Sequence, residues 1–485
     1  MADPFYDIVI IGAGVVGSLI ARELARYQLR ILLLDKAADV GDGTTKANTA
    51  IVHAGYDAKP GSLKASLNVA GNALFEQVCG ELEVEFDRCG TYVAGLSDED
   101  HATLHELLLR GRRNGVPGLS LLDADEMRRR EPAIAPGVTG AMLAETGGIV
   151  DPFALCYGAA ENAVLNGVTL RLETEATGWV REGRAITGVV TDRGVYRGRW
   201  FIIAAGLWAD DLLHAAGLDD FTITPRKGEY FVLDRVAAEQ VRAVLFPCPT
   251  PISKGILVTR TIHGNVMLGP NAQDVDDKRD LRTTAEGLNE VMAGALKLVP
   301  GLQARHVIRT FAGLRAAGST GDFRIEIPRE VHGLVTLAGI ESPGLTASPA
   351  IARYVVELLR EAGLTLVERR DFNPQRRGIP RFSLLSPAQQ EALIAQDPRW
   401  GRIVCRCEAV TEAEVVAACH APIPARTYDA LKRRTRIGAG RCQGGFDTPL
   451  VIEIMARELG LSPLELTQFG GDSRLVLRHT KEAGA

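Results

Sequence analysis

The chain has no apolar run long enough to cross a bilayer. Stretches such as residues 8 to 11 stop far short of the ~20 residues that a spanning helix needs, and the opening MADPFYD carries no basic n-region. A soluble cytoplasmic protein is expected, with peripheral attachment to the inner membrane as the alternative. An excess of positive charge is also missing. The net charge is −5 and the pI about 6.1, so nothing draws the whole chain to a polyanion, and no nucleic-acid partner is expected. Nor are the cysteines dense or regular enough for a disulfide scaffold. Of the eight, Cys79, Cys89, Cys156 and Cys248 are scattered, whereas Cys405, Cys407, Cys419 and Cys442 crowd one late segment. What is present is apolar material, 46% of 485 residues. That length exceeds a single core and predicts roughly three domains at ~150 residues each.

The chain is organised around DIVIIGAGVVG, residues 7 to 17, followed by a helix-like segment and the apolar run ILLLD ending at Asp35. The pattern predicts strand, glycine turn, helix and second strand, half of a dinucleotide-binding unit. Gly12 allows the tight turn, Gly14 lets backbone approach a pyrophosphate, and Gly17 lets the helix lie close on the sheet. The phosphates would meet the free N–H groups at the positive end of that helix. Asp35 would accept hydrogen bonds from the ribose hydroxyls and repel a 2′-phosphate, which disfavours NADP. The motif alone leaves NAD and FAD open.

Residues 41 to 65, GDGTTKANTAIVHAGYDAKPGSLKA, form a glycine- and threonine-rich passage that is long for a loop, which favours a functional role. Helical spacing around Leu67, Ala70, Leu74 and Val78 follows, and a strand pair interrupts it near residue 90. Asp151-Pro152 opens a helix, with proline tolerated in the first turn and the acid facing the helix dipole. Residues 176 to 213 read as a three-stranded meander and then a strand over 200 to 204 that breaks at Ala205-Gly206. Residues 224 to 234 and 253 to 270 carry the β-branched residues and HGN turn of a separate antiparallel sheet. Thr283 and Glu286 are spaced as a capping box for a helix over 284 to 299. Beyond, residues 334 to 338 form a strand, and a helix is expected after Ser348-Pro349. Backbone donors from Gly344 to Thr346, at its positive end, would stabilise negative charge on a bound group. Residues 366 to 387 lack periodicity and read as a linker, after which Ser386-Pro387-Ala388-Gln389 caps a short helix.

Taken together, the passage at 41 to 65, the strand ending at Gly206, FAGLRAAGSTGDF at 311 to 323 and LVTLAGIESPGLTASP at 334 to 349 resemble the FAD-dependent glycerol-3-phosphate dehydrogenase and L-2-hydroxyglutarate dehydrogenase group of the D-amino-acid oxidase superfamily. The resemblance implies FAD as the dinucleotide. The implied fold is an α/β Rossmann-like FAD-binding domain (1–75, 145–222 and 308–365) with an α+β, antiparallel-sheet substrate domain (76–144 and 223–307). It places Thr44, Thr45, Asn48, Thr49, Ala205, Gly206, Gly313, Gly344, Leu345 and Thr346 at the cofactor beside Gly12, Gly14, Gly17 and Asp35. His53 would serve as base or orienter at the reacting carbon. Arg315 would hold the substrate's anionic end, with an ordinary salt bridge as the competing account. Lys59, Lys227 and Lys254 could add positive charge or simply be solvated. The expected activity is oxidation of a small anionic hydroxy compound by hydride transfer to FAD, dehydrogenase before oxidase. Glycerol 3-phosphate comes first, 2-hydroxy acids next, and an amine or imino acid is a further option. An electron-relay subunit of a larger complex and a cluster-free oxidase are the alternatives.

Residues 403 to 419, IVCRCEAVTEAEVVAAC, and 434 to 460 carry Cys405 and Cys407 as CxC, a Thr411/Glu414 capping box, and Cys442 ahead of a second helix. After a linker at 366–396, residues 397–485 resemble the small helical domain related to bacterioferritin-associated ferredoxin, which holds a 2Fe–2S cluster. The resembled pattern ends GRCQGGFC, whereas here the last position is Asp447, leaving three thiolates where four form the usual set. Three outcomes are open: a cluster with Asp447 as an oxygen ligand, an empty relic, or zinc on three sulfurs and one oxygen. Cys419 reads as a buried helix residue. Electrons would leave through this domain to a quinone, or to a second flavoprotein or small subunit in a hetero-oligomeric complex.

Overall fold

A computed structural model describes residues 5–249 and 255–480. The strand Tyr6–Ile11 lies at the centre of an eight-stranded sheet, parallel to Ile31–Leu34 on one side and to Gly194–Ile203 on the other. Thr169–Arg171 extends the sheet beyond Ile31–Leu34, and Leu334–Ala338 pairs parallel to Gly194–Ile203. Tyr6–Ile11, Ile31–Leu34 and Leu334–Ala338 are nearly unbroken apolar runs because both faces of the sheet are covered there, as parallel sheets require. Alternation still sorts them: Ile8, Ile10 and Leu33 face one core with helices Val15–Leu24, Pro152–Leu165 and Gly344–Glu361. Val9, Ile11, Leu32 and Leu34 face a second core with Phe201, Leu213 and Phe221. The meander is formed by Ala176–Glu182, Ala185–Thr191 and Gly194–Ile203, the last of which continues unbroken into the expected strand at 200 to 204.

A second sheet, nine-stranded among the described residues, forms a roof. It is antiparallel apart from one parallel pair, Val244–Pro247 with Thr91–Gly95. Two elements lie across the expected boundaries. Strand Val307–Gly318 pairs along its whole length with Ile223–Leu233 and so belongs to the roof rather than to the nucleotide domain. The cut at 75/76 falls inside one continuous helix, Leu63–Leu82, whose Phe75, Val78 and Leu82 are buried in the first core.

Two helix starts also differ from expectation. Thr284, not Thr283, caps Ala285–Leu298, its side chain accepting from Gly287 N–H. The helix of the GIESPGLTASP segment begins at Gly344 and carries Pro349 inside it. Proline has no N–H to give to Leu345 O, but Ser348 Oγ donates to that carbonyl at 2.7 Å, so the helix passes through.

The segment after residue 361 runs along the body, anchored by a buried Arg376–Glu161 ion pair at 2.7 Å. Helices Glu412–Cys419, Tyr428–Thr435 and Thr448–Leu459 then enclose a separate core of Val415, Leu431, Val451 and Met455. Among the described residues no helix is long and apolar enough to cross a membrane.

Candidate active site

The glycine turn does what its spacing implies. Gly12 has φ +108° and lies so close to the neighbouring strand that a Cβ there would sit 2.3 Å from Ala204 O. A Cβ at Gly17 would come within 1.9 Å of Gly12 O, so only glycine lets the helix close onto the turn. Gly14 is the N-cap and has no side chain to satisfy the first-turn donors; Val15 N–H donates to Thr45 Oγ1 at 3.1 Å, and the next donors of the turn are left for an anionic ligand. Asp35 holds the turn from below: Oδ2 accepts from Ala13 N–H at 2.7 Å and Oδ1 from Ala37 N–H at 2.8 Å.

Above this turn opens a cavity of about 2080 Å³. That is about twice the upper end of the roughly 300–1,000 Å³ of ordinary small-molecule sites, so it has room for an elongated dinucleotide and a substrate together. Gly12, Gly14, Asp35, Thr44, Thr45, Asn48, Thr49, His53, Ala205, Gly206, Arg315, Gly344 and Leu345 all line it. The sequence-predicted Gly17, Gly313 and Thr346 do not, and each has a structural reason for its identity instead. Gly17 permits the helix contact described above. Gly313 lets the roof strand approach the 41-to-65 passage, since a Cβ there would meet Ala47 O at 2.1 Å. Thr346 is fully buried, and its Oγ1 accepts from His53 N–H at 2.9 Å.

His53 is thereby fixed through its main chain, for Asn72 Nδ2 also donates to its carbonyl at 3.0 Å. Its Nε2 lies 3.3 Å from Ser342 Oγ, and its ring faces Phe246 with centroids 6.2 Å apart. Asn72, Ser342 and Phe246 escaped sequence reasoning. Ser342 was available within the GIESPG motif, but Asn72 lies on a helix and Phe246 on a roof strand, and no local pattern marks either. Across the roof, Tyr230 stacks on Phe311 at 4.5 Å.

Among the described residues, backbone carbonyls alone hold Arg315. Its Nη2 donates to Asn271 O at 2.8 Å and Lys227 O at 3.3 Å, and its Nε to Arg226 O at 3.3 Å. Burial pushes the guanidinium below its usual range, with Tyr230 and Glu341 opposing that shift. No carboxylate among the described residues comes within salt-bridge distance of it, whereas neighbouring cations on the cavity wall are paired, Lys64 with Glu341 at 2.7 Å and Arg226 with Asp274 at 2.7 Å. Lys227 is buried but paired with Asp280 at 3.2 Å, Lys59 is exposed, and Lys254 lies outside the described residues.

The helix from Gly344 has Pro343 as N-cap and no side-chain cap; Gly344 N–H donates to Glu341 O at 2.6 Å, and the first turn meets the same cavity at Gly344 and Leu345, with the Leu345 N–H as the donor there. The residues present fit FAD: one uncapped helix for the pyrophosphate and another for negative charge on the ring, joined by a single long cavity.

In the late domain Cys405 Sγ and Cys407 Sγ lie 3.7 Å apart, and Cys407 Sγ and Cys442 Sγ 3.5 Å. Asp447 is buried beside them, and Cys419 is buried at the end of its helix. Among the described residues no group of three or more His, Cys, Asp and Glu side chains is arranged around a single ion. Ligands shared in pairs between two irons need no such common point. The domain docks on the 41-to-65 passage and the loop before it. Arg434 forms two hydrogen bonds of 2.8 Å with Asp39, and Arg433 reaches Asp39 and Asp42 at 2.9 Å each.

Residues 7–358 match the family of FAD dependent oxidoreductases, and residues 403–456 match the BFD-like 2Fe-2S binding domain. A glycerol 3-phosphate dehydrogenase of Caloramator mitchellensis is 44% identical over 98% of this chain and 99% of its own. A glycerol 3-phosphate oxidase of Mycoplasma genitalium is 32% identical over 76% of this chain and 97% of its own. The dithionite-reduced L-α-glycerophosphate oxidase of Mycoplasma pneumoniae with FAD bound superposes with a TM-score of 0.73 at 29% identity, covering 77% of this chain and 98% of that one. The chain thus belongs to the FAD dependent oxidoreductases, as a glycerol-3-phosphate or 2-hydroxy-acid dehydrogenase-like enzyme whose cofactors are FAD and, in its C-terminal domain, a 2Fe–2S cluster.

Proposed function

We propose that the substrate is glycerol 3-phosphate, oxidised at the carbon that bears the secondary hydroxyl. The observation that carries this reading is Arg315, a partly buried guanidinium on the cavity wall with no carboxylate partner among the described residues. A cation in that state gains most from an incoming phosphate or carboxylate. The kinship with glycerol 3-phosphate enzymes favours phosphate over carboxylate. His53 takes the hydroxyl proton, held for that task by Thr346 and Asn72 at its backbone and Ser342 at its ring. Arg315 sets the substrate's orientation, and the roof residues Tyr230 and Phe246 shield the reacting carbon from water. Bound FAD supplies the two-electron acceptor.

The C-terminal domain favours dehydrogenase over oxidase, with electrons leaving through it to a partner protein or quinone. Anaerobic titration tests the assignment. Stoichiometric bleaching of the flavin absorbance by glycerol 3-phosphate, at concentrations where L-2-hydroxyglutarate has no effect, is the expected result. Bleaching by the hydroxy acid alone would reverse the substrate assignment, and fast oxygen consumption during turnover would reverse the dehydrogenase assignment.

A further inference from the structure

Aspartate is a favoured N-cap because its side chain accepts from the N–H groups of the first helical turn. Asp447 occupies the N-cap position of Thr448–Leu459 and makes no such bond. Its carboxylate is turned inward, 3% exposed, with Oδ1 accepting from Tyr428 O–H at 3.0 Å. Oδ2 is buried and has no hydrogen-bond partner. The Cys405 side chain lies beside the same carboxylate. Buried acceptors are almost always paired, and an unpaired carboxylate oxygen is the least tolerable exception. The loop around it is packed for closeness: a Cβ at Gly440 would stand 2.6 Å from Cys407 Sγ. The thiols therefore form a short chain from Cys405, buried beside Asp447, to Cys407 and Cys442 nearer the surface.

We propose that Asp447 is the fourth protein ligand of the 2Fe–2S cluster, bound through Oδ2, and that Tyr428 is a positioning residue that occupies Oδ1 and keeps the carboxylate monodentate. A residue kept only as a relic of a lost site would be free to turn outward and cap its own helix. A hard anionic oxygen favours ferric over ferrous iron more than a thiolate does, so the cluster sits at a lower potential than an all-cysteine version of the same site. The inference concerns the late domain alone and stands whichever hydroxy compound the flavin half oxidises.

The test uses the full-length flavoprotein, reconstituted anaerobically with ferrous iron and sulfide. Its readouts are iron and sulfide content, electron paramagnetic resonance after dithionite reduction, and the midpoint potential. Two irons and two sulfides per chain are expected in the parent. Asp447→Cys should keep that content while altering the resonance and raising the midpoint. Asp447→Ala and the shape-conserving Asp447→Asn should both lose at least half the iron while retaining FAD, which shows that the chain still folds. Tyr428→Phe should keep the iron but shift resonance and midpoint, a change that a purely structural tyrosine would not cause. A parent without iron whose Asp447→Cys variant acquires it overturns the proposal. So does an Asp447→Ala variant with the parent's iron content and spectrum, and an unshifted Tyr428→Phe removes the role given to the tyrosine.

Discussion

A partly buried guanidinium with no carboxylate within salt-bridge distance among the described residues is an unfinished interaction, and Arg315 is in that state. Three backbone carbonyls fix its fork but leave its charge uncompensated. Lysine would keep the charge and lose the planar geometry. Arg315→Lys is therefore expected to raise KM for glycerol 3-phosphate about ten- to a hundredfold, the equivalent of the ~1.5–3 kcal/mol of a hydrogen bond to a charged group, with little change in bound flavin. Steady-state kinetics alongside flavin content measures both. His53 presents the opposite profile. Because Thr346 and Asn72 grip its main chain rather than its ring, His53→Gln should leave the loop and the flavin in place. Anaerobic single-turnover flavin reduction should slow by roughly 10²–10⁴, the usual range for a lost general base. A flavin-free His53→Gln protein would show that the histidine supports cofactor binding instead.

At the scale of elements, the Gly344–Glu361 helix depends on one hydroxyl. Pro349 deprives Leu345 O of its ordinary donor, and Ser348 replaces it. Ser348→Ala leaves a partly buried carbonyl without its donor and should lower unfolding stability by about 1–3 kcal/mol, read from the denaturant midpoint at constant slope. Flavin binding should weaken with it, since the first turn of this helix lines the cavity. The same element marks where local reading reaches its limit. Ser-Pro is an ordinary helix start, so a start after Ser348-Pro349 is the natural expectation. Only the buried position of Ser348, pointing back at Leu345 O, shows that the helix began a turn earlier. By contrast the capping boxes at Ser386/Gln389, Thr411/Glu414 and Ser462/Glu465 form as their spacing implies, because both partners lie within one turn.

Over the whole molecule, the C-terminal domain is bound to the flavin half through charge. Burial by itself would raise the Asp39 carboxyl, but the Arg434 and Arg433 guanidiniums outweigh it and hold it below the usual carboxylate range. A carboxyl lowered in the folded state contributes stability that is complete above its unfolded value, near pH 4. That contribution is lost as pH falls from there through the folded value. Docking should accordingly weaken in acid below about pH 4. Asp39→Asn should reproduce the effect at pH 7, at about 3–5 kcal/mol for a broken buried pair. Limited proteolysis within residues 366–396 reports it: cleavage should accelerate in the variant while the FAD spectrum persists.

What the sequence determined by itself is whatever a few neighbouring residues settle among themselves. The closing of Gly17 onto Gly12, the alternation of Ile8 and Val9 between two cores, and the capping boxes rest on contacts within a few residues or on a strict period. Tertiary structure alone decided what depends on surfaces meeting. It brought His53, Arg315 and Gly344 to one cavity, left Arg315 without a carboxylate while Lys227 found Asp280, and moved strand Val307–Gly318 into the roof. It also set Arg434 on Asp39 and turned Asp447 away from its own helix. Charge pairing and burial depend on which distant segments come together, and no local spacing encodes that.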